Sequence, residues 1–191
     1  MSVMESLVSR RTYRRFEQKA VPQDVVDDII EAVRLSSCGA NRQAVRLDIV
    51  NKPEDVARVQ PLVKWAAYLP PEQGTPKADE LPTLYVAVVQ DTSIPGDLAT
   101  DTGIALANMT LAAWDKGVGS CIMGAINKPI LSELLGIAEP EKLAFMVAFG
   151  YPAHKTHVVP LTAKTGVKYY LDENQDYCVP KRSKDEIARY L

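Results

Sequence analysis

The chain has 191 residues, enough for one ordinary domain with a sizeable core, and its 47% hydrophobic and 24% charged residues are in the balance of a folded globular protein. A net charge of -2 argues against a chain-wide attraction to nucleic acid. Three cysteines, Cys38, Cys121 and Cys178, form no CxxC pair and point away from a disulfide framework or a thiolate zinc site, and the least charged stretch, Gly103 to Trp114, falls short of the roughly 20 apolar residues of a membrane span.

In chain order, Met4 to Ser9 predicts a short helix. Pro22-Gln-Asp, with proline and an acid in the first turn, opens a second helix carrying Val25, Ile29, Ile30 and Val33 at helical spacing. It should run out at Ser36-Ser-Cys-Gly-Ala-Asn, where turn and cap residues cluster. Arg46 to Val50 alternates like a half-buried strand, and Val56 to Leu69 is expected to be helical. Pro70 to Pro82 lacks periodicity and reads as a mobile surface loop of the kind that forms lids.

Leu84 to Val89 predicts a strand buried on both faces. Asp97 to Lys116 has helical length and ends at Gly117, with Ile104, Met109, Leu111 and Trp114 spread around its axis, so it should be a central helix covered on several sides. Ser120 to Met123 and Leu143 to Phe149 are further strands, separated by a helix from Pro129 to Leu135 that stops at Gly136. From about residue 152 the chain is polar and rich in proline, with little periodicity before Lys184 to Leu191; an extended C-terminal tail crossing a surface is expected. The sum is a single α+β domain over residues 1–191.

Four arginines and a hydroxyl fall within Ser9-Arg-Arg-Thr-Tyr-Arg-Arg-Phe16. Such a run can grip a phosphate through charge-assisted hydrogen bonds, or can simply be a solvated basic turn. His154 and His157 make no metal set by themselves, and no metal is expected. Gly117-Val-Gly119 lacks the third glycine of a dinucleotide fingerprint and follows a helix instead of a strand. No nucleophile–histidine–acid grouping can be assembled, so hydrolase chemistry has no support.

The arginine run resembles the opening motif of the nitroreductase family, commonly Arg-Arg-Ser followed by a basic residue and an aromatic. Ser37-Cys-Gly-Ala-Asn41-Arg-Gln43 is similar to that family's Ser-rich Asn-x-Gln loop. Asp101 to Gly119, Ser-Cys-Ile-Met-Gly124, Gly136-Ile137, Phe149-Gly-Tyr-Pro152 and Val179-Pro-Lys-Arg-Ser183 extend the likeness along nearly the whole chain.

The resemblance implies a mixed sheet flanked by helices with a long central helix, in a homodimer with FMN at the subunit interface. It also implies hydride transfer from NAD(P)H through FMN to a small electron acceptor, such as a nitroaromatic or quinone, by a ping-pong mechanism. Arg10, Arg11 and Thr12 would hold the FMN phosphate, joined by Lys181 or Arg182. Arg14 would lie at the flavin's pyrimidine edge, where a fixed positive charge stabilises the reduced ring. Met123 and Gly124 would present backbone to the redox-active nitrogen, with glycine permitting close approach. Ser37, Cys38, Gly39 and Asn41 would reach the partner's FMN, although Asn41 could equally cap its own turn.

The likeness has one departure: Ala44-Val45 stands where the family usually has Pro-Trp, and Cys38 is a milder change from the common serine. No catalytic side chain is implied, because the flavin carries the chemistry. Storage or sensing of flavin without steady turnover is the alternative, and nucleic-acid contact through the arginines is weaker still. With no signal-peptide pattern before the basic run, a cytoplasmic, membrane-free protein is expected.

Overall fold

The computed structural model describes residues 2–191. Along the chain run α1 (Val3–Ser9), α2 (Gln23–Arg34), β1 (Val45–Val50), α3 (Pro53–Val59), α4 (Pro71–Gly74), β2 (Leu84–Asp91), α5 (Leu98–Asp115), β3 (Gly119–Met123), α6 (Lys128–Leu135), β4 (Glu141–Gly150), β5 (Thr156–Pro160), β6 (Tyr170–Leu171) and β7 (Tyr177–Lys181).

Local chemistry fixes the helix ends. Ser2 and Glu5 exchange the reciprocal bonds of a capping box on α1. Asp97 accepts from the Ala99 and Thr100 amides to start α5, and Asn127 does the same for α6 through Ile130. Gly136, at φ 69°, ends α6 in the left-handed conformation that glycine adopts without penalty.

The main sheet has the order β1-β2-β4-β3 and is antiparallel throughout. The period of two in β2 divides the interior: Tyr85, Ala87 and Val89 face a core with Val56 and Val59 of α3 and Leu131 of α6, whereas Leu84, Val86 and Val88 face one with Val25, Val26 and Ile29 of α2 and Met109 and Ala113 of α5. Burial on both faces explains why β2 is an unbroken apolar run. Helices on both sides of an antiparallel sheet make the domain α+β, and α5 packs on α1, α2 and three strands.

The structure departs from the sequence expectations in four places. The helix expected over Val56 to Leu69 is instead α3 followed by a short 3-10 turn at Gln60–Leu62, because Pro61 has no amide to continue the ladder. The segment from Pro70 to Pro82 is anchored: Gly74, Pro76 and Pro82 are buried, and Glu80 and Leu81 accept bonds from the Phe16 amide and the Gln18 side chain. The tail is a second sheet, ordered β5-β7-β6, with β5 parallel to β7. Mixed pairing is therefore found there, and in a single parallel bridge at the edge of the main sheet, instead of within the four main strands.

Two facing glycines shape that edge. Gly119 and Gly150 are register partners across β3 and β4; a β-carbon on Gly119 would lie 2.7 Å from Tyr13 Cδ2, and one on Gly150 would lie 2.9 Å from Phe16 Cδ1. Only bare backbone lets these two rings settle on the strand ends.

Candidate functional site

Thr12 makes the parallel bridge to Ser120 on β3, and the Tyr13 amide donates to the Ser120 carbonyl at 2.9 Å. The segment Arg10–Phe16 is thus laid along the edge strand and pinned by its buried aromatics. The Tyr13 ring stacks on Trp114 at 5.2 Å and Phe16 meets Trp65 edge-on at 6.4 Å.

Around these anchors Arg10, Arg11, Thr12, Arg14 and Arg15 are half-buried, and among the described residues no carboxylate pairs with any of the four arginines. Burial, and next the like charge of Arg11, lower the Arg10 pKa from its ordinary value. A partly desolvated cluster of positive charge without counter-charge is a place for an anion.

The arginines have different settings. Arg11 folds back and donates to the carbonyls of Leu7 (3.3 Å), Val8 and Arg10, closing the C-terminal end of α1. Arg14 lies over the rings of Tyr169 and Tyr177, at 4.3 and 4.9 Å, and Arg15 donates to the Gln175 carbonyl. The tail therefore reaches this segment through Tyr169, Gln175 and Tyr177. Lys181 and Arg182 are exposed, with Lys181 paired to Pro160, and among the described residues no bond joins either side chain to Arg10–Thr12.

Further along the same edge, Met123 is buried at the end of β3 and Gly124 is exposed beyond it. Ser120 to Gly124 spans four residues of extended chain, about 13 Å. Thr12 and Gly124 thus mark two ends of one strip, one cationic and one bare backbone. A β-carbon at Gly124 would sit 3.3 Å from Phe145 Cε1, a tight contact that the ring would have to relieve by shifting a few tenths of an ångström. Gly124 borders a cleft of about 830 Å³ whose walls include Thr102, Gly103, Lys128 and Phe145.

The loop after α2 is a separate group. The Gly39 amide donates to Asp101 Oδ1 at 2.9 Å, and Asn108 Nδ2 donates to Ser36 Oγ at 2.8 Å, so two side chains of α5 hold it. Ala40, Asn41 and Gln43 adopt φ of 51°, 54° and 54°, a left-handed series built without glycine. Cys38 Sγ accepts the Gln43 amide at 3.3 Å, and the Asn41 amide donates to the Cys38 carbonyl at 3.2 Å. Ser37, Gly39 and Asn41 are exposed, Cys38 is half-buried, and no hydrogen bond or ion pair joins this loop to Arg10–Thr12 or to Met123 and Gly124 among the described residues. A cavity of about 330 Å³ opens beside it, lined by Ile30, Val33, Cys38, Ala44, Val45 and Ala105 among others.

Sequence reasoning missed Asp101 and the tail tyrosines. Asp101 had a signal, a carboxylate within an otherwise apolar helix, and the structure buries it to 7% exposure. The two histidines part company: His154 is wedged between Tyr13 and Tyr177, at 5.3 and 4.9 Å, and burial, with the Arg15 charge second, pushes its pKa down to about 4. His157 is exposed on β5.

The domain thus presents a cationic segment on the sheet edge, a bare glycine farther along that edge and a separate loop tied to the central helix, and the nitroreductase family model matches residues 7–151. The chain belongs to the nitroreductase family. As a nitroreductase-family chain it is similar to a Bacillus subtilis strain 168 protein named FMN reductase, NAD(P)H, with 27% identity covering 99% of this chain and 82% of the relative. A second B. subtilis relative, named FMN reductase (NADPH), is 23% identical over 87% of this chain and 72% of its own length.

Among solved structures, a nitroreductase family protein from Streptococcus pneumoniae TIGR4 superposes with a TM-score of 0.70 at 19% identity, covering 85% of this chain and 96% of the other. An FMN-dependent nitroreductase from Clostridium difficile R20291 gives 0.66 at 18% identity, covering 80% and 88%. Both likenesses support the fold. No described helix is long and apolar enough to cross a membrane.

Proposed function

We propose that this chain passes hydride equivalents from NAD(P)H through FMN to a small electron acceptor, a nitroaromatic or a quinone, with donor and acceptor using the same flavin face in turn. The coarser part, an FMN-dependent oxidoreductase that draws on NAD(P)H, follows from membership of the nitroreductase family. The observation that carries the finer reading is the half-buried arginine segment, without a carboxylate partner among the described residues, that leads along β3 to Gly124.

Arg10 and Thr12 are the phosphate ligands in this reading, with Arg11 beside them and Lys181 or Arg182 added from the tail. Arg14, steadied by two tyrosine rings, supplies fixed positive charge near the flavin's pyrimidine edge. Met123 and Gly124 offer backbone at the ring. FMN, when bound, accepts the hydride and gives up electrons; the protein binds it, orients it and sets its electrostatics.

The active unit in this proposal is a homodimer, in which Ser37, Cys38, Gly39 and Asn41 of one copy meet FMN held mainly by the other. Two observations favour it: among the described residues the loop has no hydrogen bond or ion pair to the arginine strip of its own chain, and α5 leaves Gly103 and Ala107 exposed and Ile104 and Leu111 only half-covered. The protein should purify yellow, release FMN on denaturation and oxidise NAD(P)H rapidly once an acceptor is added. Bound FMN without turnover would favour a storage or sensing role instead, and a colourless protein that takes up no FMN would end the reading. Ala107→Glu should separate the subunits and release flavin together, as seen by sedimentation with flavin absorbance.

A further inference from the structure

His157 lies on β5, and Asp172 and Asp176 bound the turn between β6 and β7. One ligand atom from each lies within 4.8 Å of the other two. These residues are outside the arginine strip and outside the Ser36–Gln43 loop, so the flavin reading has no use for them.

The carboxylates are held ready. Asp172 Oδ1 accepts the amides of Asn174 (2.9 Å) and Asp176 (3.0 Å), and Asp176 Oδ1 accepts the Lys155 amide at 2.8 Å. In each case Oδ1 fixes the side chain; Oδ2 of Asp176 faces His157 in an ion pair, and among the described residues no hydrogen bond engages Oδ2 of Asp172. His157 Nε2 stands 3.6 Å from Asp176 Oδ2, too far for a hydrogen bond. That separation is close to the edge of a tetrahedron, about 3.4 Å, for metal–ligand bonds of about 2.1 Å.

Two features choose the kind of ion. Asp172-x-Asn174-x-Asp176 has the spacing of the first half of a calcium loop, but Tyr177 stands where such a loop needs glycine. One imidazole with two carboxylates is instead a donor set for zinc and its neighbours in the first transition row.

We propose that His157, Asp172 and Asp176 bind one divalent transition-metal ion, zinc or cobalt, with water completing its coordination. The ion ties β5 to the β6–β7 turn. That turn also presents Gln175 to Arg15, and Tyr177 after it packs under Arg14, so the metal stiffens the contact between tail and arginine segment. Asp172 and Asp176 lie 15 and 19 positions farther along the chain than His157, so only the pairing of the tail strands brings the three together.

Zinc chloride titrated into the full, chelator-stripped chain should bind with one ion per chain and raise the unfolding midpoint by roughly 5–10 °C at a hundredfold excess over Kd. Cobalt should compete for the same site and add visible absorption. His157→Gln, at an exposed position, should weaken binding at least tenfold while leaving the metal-free unfolding midpoint in place, and Asp172→Asn should weaken it comparably. Absence of binding, or affinity unchanged in His157→Gln because the thiols hold the ion, would overturn the assignment.

Discussion

The Arg10–Phe16 segment and the Ser36–Gln43 loop carry most of the candidate flavin-binding residues, and they are held in opposite ways. The first is a strip of extended chain pressed on a finished sheet, with Tyr13 and Phe16 buried against Gly119 and Gly150. The second stands off the core on bonds to Asp101 and Asn108, with three left-handed residues in its backbone. Apolar burial positions the arginines, and no single polar bond is decisive there. The loop has little burial to draw on, so individual hydrogen bonds and backbone strain decide its shape.

The most damaging change should be at the first region's foundation. Gly119→Val places carbon where the Tyr13 ring lies, and a loss of about 3 kcal/mol in urea unfolding, together with loss of FMN binding, is expected. If stability is retained, Tyr13 is not pinned as described. Arg10→Ala should weaken FMN by roughly 1.5–3 kcal/mol, read from flavin fluorescence. Arg11→Ala should weaken it less and instead lower stability by up to about 1 kcal/mol, because that guanidinium also closes α1. Equal effects on affinity would erase the distinction between the two arginines.

The same region contains a pH dependence. His154 has a folded pKa of about 4, below its ordinary value near 6.5, so the unfolded chain takes up the proton first as pH falls. Its contribution is intact above about pH 6.5 and declines toward pH 4, by about 2 kcal/mol for a ring that keeps some solvent contact. Comparing unfolding of the parent and His154→Phe across that window isolates the contribution; parallel curves would show that the ring is solvated. The smallest effect belongs to the loop: Ala40→Gly removes the penalty of φ 51° and should raise stability by about 0.5–1 kcal/mol. A decrease would mean that the left-handed turn is no burden.

Much of this was legible in the amino acids, for stated reasons. β2 announced itself because both of its faces are covered, and α5 because apolar residues surround it. Pro61 should have ended the helix assigned through Leu69, but the apolar spacing on either side of it carried the assignment past the break. The second sheet was hidden because its longer pairing, β5 with β7, is parallel and nonlocal and its residues mix exposed, half-buried and buried positions, so no alternation records it. In the candidate site the arginines were visible by their density. Asp101 and the stack of Arg14 on Tyr169 were not, because each depends on a partner more than 60 positions away.

The glycine pair also sets an order of events. Gly119 and Gly150 become a platform only when β3 has docked on β4, so Tyr13 and Phe16 have no seat until residues more than 100 positions downstream are in place. The segment synthesised among the first is then expected to be positioned among the last, so its native contacts should form after the folding transition state. Lesions in Tyr13 or Phe16 should accordingly hasten unfolding and leave the refolding rate almost unchanged, so that damage to the arginine strip would shorten the lifetime of the assembled protein without slowing its formation.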